Sequence, residues 1–264
     1  MSLIGAGNMG EAMLKGWLGS GTLKPEDVVV RDRVPARGEL LSGRYGVSLA
    51  EDNAGAAGES KIVVLAVKPQ DSGEVLDEIS GVDLEGKVIL SIVAGLSLGF
   101  LRAGVGGEPS LIRVMPNMAA SAGAAVSAYT VDPGSRGLDR EQVLRLLEAI
   151  GEIVEVEEEW MDLVTALSGS GPAYFFLLVE ALEMAGVDGG LPRDTARMLA
   201  RETLWGAARV LKESGREAGD LRESVSSPGG TTVAALGKLE DAGFVEAVGD
   251  AVCAARSRAG ELTR

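Results

Sequence analysis

Three glycines, Gly5, Gly7 and Gly10, stand at the spacing G-x-G-x-x-G between a short apolar run, residues 1–4, and a helical apolar pattern of Ala12, Met13, Trp17 and Leu18. Strand, tight turn and helix in that order build an anion site. Gly5 allows the sharp turn, Gly7 lets a pyrophosphate approach the backbone, and Gly10 lets the helix pack closely on the strand. The unpaired N–H groups and positive dipole end of that helix favour a bound phosphate. The loop of Gly5, Ala6, Gly7, Asn8, Met9 and Gly10 is therefore the first candidate nucleotide contact.

About 20 residues beyond such glycines, ribose chemistry is decided, and here the chain reads Arg31-Asp32-Arg33. An acid at that place binds the 2′-hydroxyl of NAD, while an arginine accommodates the 2′-phosphate of NADP. Both are on offer, so these residues leave both cofactors open. Three further strand ends carry small or polar groups: Lys68-Pro69-Gln70, Ala94-Gly95 and Pro116-Asn117. Ligands of parallel sheets sit beyond the carboxyl ends of the strands, so Lys68 is a candidate cofactor contact and Ala94-Gly95 a place for a flat ring to approach the backbone. A second anion pocket is predicted at Ser226-Ser227-Pro228-Gly229-Gly230-Thr231-Thr232, where hydroxyls and paired glycines precede an apolar helix. It is sized for a carboxylate.

The elements that must position these groups divide the chain in two. Residues 1–155 alternate short apolar runs with helical patterns, the signature of a parallel α/β sheet. Strands are predicted at 1–4, 28–30, 61–67, 88–93, 111–115 and 124–130, with a last one inside the acidic run 152–159; residues 139–150 read as an amphipathic helix. The fold class is thus α/β: a Rossmann-type parallel sheet domain at 1–158, followed by an all-α domain at 159–264. In the second part, helices are predicted at 161–167, 173–185, 192–214, 233–239 and 244–259, with an interruption at Ser168-Gly169-Ser170-Gly171-Pro172. Residues 173–185 are apolar on nearly every side, and a helical domain of this size cannot easily bury such a helix alone. A homodimer whose helices share one core is the economical solution.

Composition narrows the chemistry. The 264 residues are 46% hydrophobic and 24% charged, as in a globular protein, and carry a net charge of −14. That charge argues against nucleic acid or an anionic membrane surface as partner. No apolar run is read as approaching the length of a membrane span, and no secretory signal is read at the start; the expected location is cytoplasmic. Cys253 is the only cysteine, so neither an intramolecular disulfide nor a cysteine-rich metal site is expected. Histidine is absent altogether, which removes every dehydrogenase mechanism with an imidazole acid or base. No tyrosine is followed four positions later by lysine, and no lysine lies between Lys87 and Lys212. The reaction must need little strong acid–base help from the protein.

Five segments together carry a resemblance: Ile4-Gly-Ala-Gly-Asn-Met-Gly10, Ala66-Val-Lys-Pro-Gln70, Met115-Pro-Asn117, Leu167-Ser-Gly-Ser-Gly-Pro-Ala-Tyr174 and Val225-Ser-Ser-Pro-Gly-Gly-Thr-Thr232. In order and spacing, over essentially the whole chain, this set closely resembles the pyrroline-5-carboxylate reductases. The resemblance implies reduction of the cyclic imine Δ1-pyrroline-5-carboxylate to L-proline by NADPH or NADH, the last step of proline biosynthesis. It also implies a Rossmann domain, a helical dimerisation domain, and dimers that assemble further in some members. By position, Asn53 and the segment Ala66, Val67, Lys68, Pro69 would line the nucleotide. Ser227, Gly230, Thr231 and Thr232 would receive the substrate, the backbone taking the carboxylate and the Thr232 hydroxyl facing the ring nitrogen. With Arg31 and Arg33, the resemblance favours NADPH, with NAD possible. Two departures stand out: Met118-Ala119 follows Asn117 where the family commonly has Thr-Pro, and Arg216-Glu217-Ala218 replaces an acidic-His-Pro sequence.

The residues fit this chemistry independently. A cyclic imine is electrophilic once protonated, and it can arrive in that state from solvent. The protein then needs only to align ring and nicotinamide, so that proximity supplies most of the acceleration. Two rivals are weaker. Other two-domain dehydrogenases need a lysine or histidine that this chain lacks, and a non-catalytic nucleotide-binding regulator has no use for a carboxylate pocket.

Overall fold

The structure is a computed structural model and describes residues 1–135 and 140–262. They form two compact units: Met1–Ser170 together with the residues from Ala254 onward, and Gly171–Cys253.

The first unit is built on one sheet of eight strands in the order β3-β2-β1-β4-β5-β6-β7-β8. The strands are β1 Ser2–Ile4, β2 Val29–Arg31, β3 Ser48–Leu49, β4 Ile62–Leu65, β5 Val88–Ser91, β6 Ser110–Met115, β7 Ala125–Val131 and β8 Gly151–Glu155. Helices α1 Asn8–Gly19, α2 Pro35–Tyr45, α3 Asn53–Gly58, α4 Ser72–Ser80, α5 Leu98–Gly104 and α6 Arg140–Glu148 connect them. Central strands such as β4, Ile-Val-Val-Leu, are buried along their whole length, because helices cover both faces of a parallel sheet. Successive side chains then feed opposite layers. Val64 joins Leu3, Met13, Leu14 and Trp17 on one face, while Val63 joins Ile4, Leu76, Ile79 and Leu101 on the other. Trp17 is fully buried, and its indole N–H donates to the Leu146 carbonyl at 2.8 Å.

One part of the sheet departs from the parallel expectation. Strands β3 through β6 of the spatial order are all parallel, but β7 runs antiparallel to β6, and β8 is parallel to β7. The reason is the length of the link. Only residues 116–124 separate β6 from β7, too few for a parallel crossover, which needs a dozen or more. The short edge strand β3 was not anticipated from the sequence. The predicted helix at 139–150 is found as α6; Asp139 itself, like the last two residues of the predicted second domain, lies outside the described residues.

After a 3-10 turn at Glu158–Trp160 come α7 Met161–Val164, a π-turn at Thr165–Gly169, and α8 Gly171–Asp188. The predicted interruption at 168–172 is found as the end of that π-turn and one non-helical residue, Ser170, before α8 begins. Pro172 has no N–H and its ring crowds the carbonyl four residues back; widening the preceding turn accommodates it, with the Ser170 N–H donating to the Thr165 carbonyl at 2.8 Å. By length and composition, Glu158–Asp188, with a mean hydropathy of 1.3, matches a membrane-crossing helix. The expectation that no segment approaches that length is corrected accordingly.

The second unit is helical: α8, then α9 Arg193–Ser214, α10 Ala218–Ser224, α11 Thr231–Asp241 and most of α12 Phe244–Leu262. Sequence reading missed α10, whose seven residues are too few to show a periodicity. Along α8, Phe175, Phe176, Leu177 and Met184 are between 55% and 65% exposed.

Candidate functional site

The glycine loop follows β1 directly and opens α1. Gly5 has φ of +109°, and a Cβ there would lie 2.5 Å from the Ala66 carbonyl oxygen; one on Gly10 would lie 2.3 Å from the Gly5 carbonyl. These two glycines let β1, β4 and α1 approach one another. Gly7 is different: a Cβ on it meets nothing within 4 Å. It is the N-cap of α1 and is exposed, so its face, with the first N–H groups of the helix, is open to an anion.

That open face belongs to a cleft of about 660 Å³. Of the residues singled out in the sequence, Gly5, Gly7, Asn8, Met9, Arg31, Asp32, Arg33, Asn53, Ala66, Val67 and Lys68 line it. Ala6, Gly10, Pro69, Ala94, Gly95 and Asn117 do not. Ala6 is buried behind the loop and works through its backbone: its N–H donates to the Asp32 carboxylate at 2.6 Å, and its carbonyl accepts from Arg37 Nε at 3.0 Å and Nη2 at 2.6 Å. Gly95, with φ of +75°, sits against the backbone of Leu262, whose carbonyl oxygen would be 2.6 Å from an added Cβ. The close approach permitted there is to the end of α12. Asn117 is buried and accepts the Ala119 N–H at 3.2 Å, capping the 3-10 turn Met118–Ala122. Met118 and Ala119, where a hydroxyl and a proline were missing, form the start of that turn.

Sequence reading missed several cleft residues: Arg37 on α2, Asp71 on the 3-10 turn Pro69–Asp71, and Glu74 and Glu78 on α4. Two of the acids are tied to predicted residues. Glu78 accepts from Asn53 Nδ2 at 2.7 Å, and Asp71 pairs with Arg33 at 2.9 Å. Helix-face charges of this kind carry no motif, so nothing in the sequence distinguished them from a solvated face.

Arg37 belongs to a small charged group behind the loop. Glu11 on α1 receives Arg37 at 3.2 Å, the Tyr45 hydroxyl at 3.2 Å, and Arg44. The Tyr45 hydroxyl, and next the Glu11 carboxylate, raise the Arg44 pKa above its usual value, so it stays a cation. Among the described residues no group of acids or cysteines is arranged to hold a metal ion.

In the second unit, the predicted anion pocket is a turn followed by a helix N-terminus. The Gly230 N–H donates to the Ser227 carbonyl at 2.9 Å. Gly229 takes φ of +72°, and a Cβ on Gly230 would lie 2.4 Å from Ser227 Oγ, so both glycines are required by the turn. Gly230 is the N-cap of α11, which places Thr231 and Thr232 at the first two helical positions. Ser226 donates to the Arg222 carbonyl at 2.6 Å. The hydroxyls of Ser227, Thr231 and Thr232 have no protein partner among the described residues, leaving them and the first N–H groups of α11 available to a ligand.

Known proteins place the chain in a family. Residues 1–95 match the family model of NADP oxidoreductases described as coenzyme F420-dependent, and residues 158–262 match the pyrroline-5-carboxylate reductase dimerisation model. A pyrroline-5-carboxylate reductase of Corynebacterium melassecola is 41% identical over 99% of this chain and 98% of its own. The chain belongs to the pyrroline-5-carboxylate reductase family. Solved structures of two other members superpose closely. The reductase of Coxiella burnetii gives a TM-score of 0.91 at 32% identity, covering 100% of this chain and 98% of its own. The Plasmodium falciparum enzyme, solved with NADP bound, gives 0.87 at 31% identity, covering 100% and 97%. The resemblance read from five short motifs therefore extends to the whole fold. The family's dimerisation model covers the same stretch whose apolar helix is exposed in the single chain.

Proposed function

We propose that this chain reduces Δ1-pyrroline-5-carboxylate to L-proline, using NADPH in preference to NADH. Family membership over the full length supports the reaction. The observation that carries the cofactor reading is the glycine cradle: Gly7 opens onto the cleft with no atom within 4 Å of its would-be Cβ, while Gly5 and Gly10 are fixed by backbone contacts. The residues fit a dinucleotide. Gly5, Gly7, Asn8 and Met9 would hold the pyrophosphate at the start of α1, Arg33 the 2′ position, and Asn53, Ala66, Val67 and Lys68 the rest of the cleft wall. The nicotinamide, when bound, supplies the hydride for the imine carbon.

The work of the chain's own residues is modest. The turn at Ser227–Gly230 and the start of α11 would take the substrate carboxylate on backbone N–H groups, with Ser227 and Thr231 beside it. Thr232 would hydrogen-bond the ring nitrogen as its charge changes. A protein with no histidine suits a substrate that arrives already protonated and needs orientation rather than acid–base help. The preference for NADPH is supported by Asp32, whose two oxygens already accept the Ala6 and Val34 N–H groups at 2.6 and 2.8 Å. With both oxygens so engaged, the carboxylate is less free to accept a ribose 2′-hydroxyl.

The assembly proposed is a homodimer through 159–264, open to further association of dimers, with neither nucleic acid nor membrane as partner. The domain boundary at 158/159 is supported by the start of the dimerisation match. A cytoplasmic location is supported by the single cysteine, Cys253, which asks for no oxidising compartment. The decisive experiment mixes purified protein with pyrroline-5-carboxylate and NADPH or NADH and follows loss of reduced-nicotinamide absorbance. Proline should form stoichiometrically, with the higher kcat/KM for NADPH. No turnover with either nucleotide would overturn the reading.

A further inference from the structure

Most of the cations lining the cleft are already held by the chain itself. Arg37 is committed to the Ala6 carbonyl and Glu11, and Arg31 donates to the Asp32 carbonyl oxygen at 2.8 Å. Arg33 is held otherwise. It leaves the end of β2, and its Nη1 meets Asp71 Oδ1 at 2.9 Å, on the turn that follows β4. Both residues line the cleft, so the ion pair ties its two walls together. The Arg33 side chain is 72% exposed and that of Asp71 21%.

We propose that Asp71 is a specificity residue for the 2′ position of the nucleotide, competing with a 2′-phosphate for Arg33. The inference rests on the nucleotide reading of the cleft given above. An exposed ion pair of this kind is weak, worth no more than about fivefold in an equilibrium constant. A phosphate monoester carries about −1.5 to −2 charges and three acceptor oxygens, and it can engage a guanidinium through two parallel hydrogen bonds. It therefore displaces Asp71. A nucleotide with a free 2′-hydroxyl asks for no exchange and leaves the pair intact. Asp71 thus lowers affinity for the 2′-phosphorylated cofactor while leaving the other almost untouched, and it narrows the gap between them. Nothing in its sequence context, Lys68-Pro69-Gln70-Asp71, signals this; the cross-cleft pairing does.

The test is direct binding, measured by calorimetry on the intact protein at low ionic strength, with NADP⁺, NAD⁺ and the fragments 2′,5′-ADP and 5′-ADP. Asp71→Asn should tighten NADP⁺ and 2′,5′-ADP by about fivefold and change NAD⁺ and 5′-ADP by less than about twofold. Arg33→Ala should weaken the 2′-phosphorylated ligands by roughly tenfold. In the Arg33→Ala background, adding Asp71→Asn should bring back less than about twofold, because the competition needs the arginine. The NAD⁺ titration also reports that each variant is folded. An equal gain for both cofactors, no gain for either, or the full gain in the absence of Arg33 would overturn the proposal. Failure of the wild-type protein to bind any of the four ligands would instead remove the nucleotide reading itself, and this inference with it.

Discussion

Thr232 stands at the second position of α11, after an N-cap supplied by Gly230, and that position separates two roles the sequence alone leaves entangled. If the hydroxyl served only to cap the helix, its loss would cost about 1 kcal/mol of stability. Gly230 occupies the cap instead, so Thr232→Ala should leave the melting temperature almost unchanged. If the hydroxyl bonds the imine nitrogen, the variant loses roughly 1.5–3 kcal/mol, about a 10- to 100-fold drop in kcat/KM, and Thr232→Ser should recover much of it. Measuring both quantities on both variants decides the matter; normal turnover in Thr232→Ala would exclude the proposed role. The loop glycines allow an equally sharp contrast. Gly7→Ala meets no atom within 4 Å, so it should fold normally yet bind nucleotide about tenfold more weakly, its methyl filling the space proposed for the pyrophosphate. Gly10→Ala drives a Cβ to 2.3 Å from the Gly5 carbonyl. It should lower stability by about 2 kcal/mol. Thermal unfolding and calorimetry on the pair test whether the glycines divide their labour in this way.

At the scale of elements, a buried arginine links β6 to the segment that begins the long helical run. Arg113 on β6 is 5% exposed. It lies 3.3 Å from Glu158 and 3.6 Å from Asp162, and Glu158 also accepts the Leu98 N–H at the start of α5 at 2.6 Å. Three elements are thus tied through one guanidinium. Replacing both acids, Glu158→Gln with Asp162→Asn, strands a positive charge in the interior. The expected cost is on the order of 3 kcal/mol, read as a lower denaturation midpoint. An unchanged midpoint would mean that solvent reaches Arg113 freely. Replacing a single acid should cost less, since the other remains.

For the whole molecule, the exposed apolar surface of α8 is the feature that needs a cover. Phe175, Phe176 and Leu177 are consecutive and all more than half exposed, an arrangement a monomer rarely tolerates. The dimerisation match at 158–262 supplies the cover in the form of a second copy, and it makes sense of a helical run otherwise apolar enough to cross a membrane. Sedimentation at micromolar concentration should therefore show a dimer or a larger species and no folded monomer. Leu177→Asp, at a position 65% exposed in the single chain, should weaken the assembly by several kcal/mol and shift the protein toward monomer or aggregate. A Leu177→Asp variant with unaltered sedimentation would place the interface elsewhere.

Elements whose signal is local could be read from neighbouring residues alone. The glycine loop, the buried strands, the all-round apolar helix and the glycine pair before Thr231 were each legible, because turn geometry and burial periodicity are written in adjacent residues. Motif spacing went further and pointed to the family. Features that depend on pairing across distance emerged from the folded chain. It reversed β7 because the link from β6 is too short for a crossover, and it set a π-turn ahead of α8. It also turned Asp32 onto the Ala6 N–H, packed Gly95 against Leu262, and brought Arg37, Asp71, Glu74 and Glu78 into the cleft wall. These charged residues sit on ordinary polar helix faces and turns, where composition looks the same whether the neighbour is water or a nucleotide. Their meaning arises only when the sheet sets β2 and β4 on either side of β1, so that the loops leaving those strands face each other across one cleft.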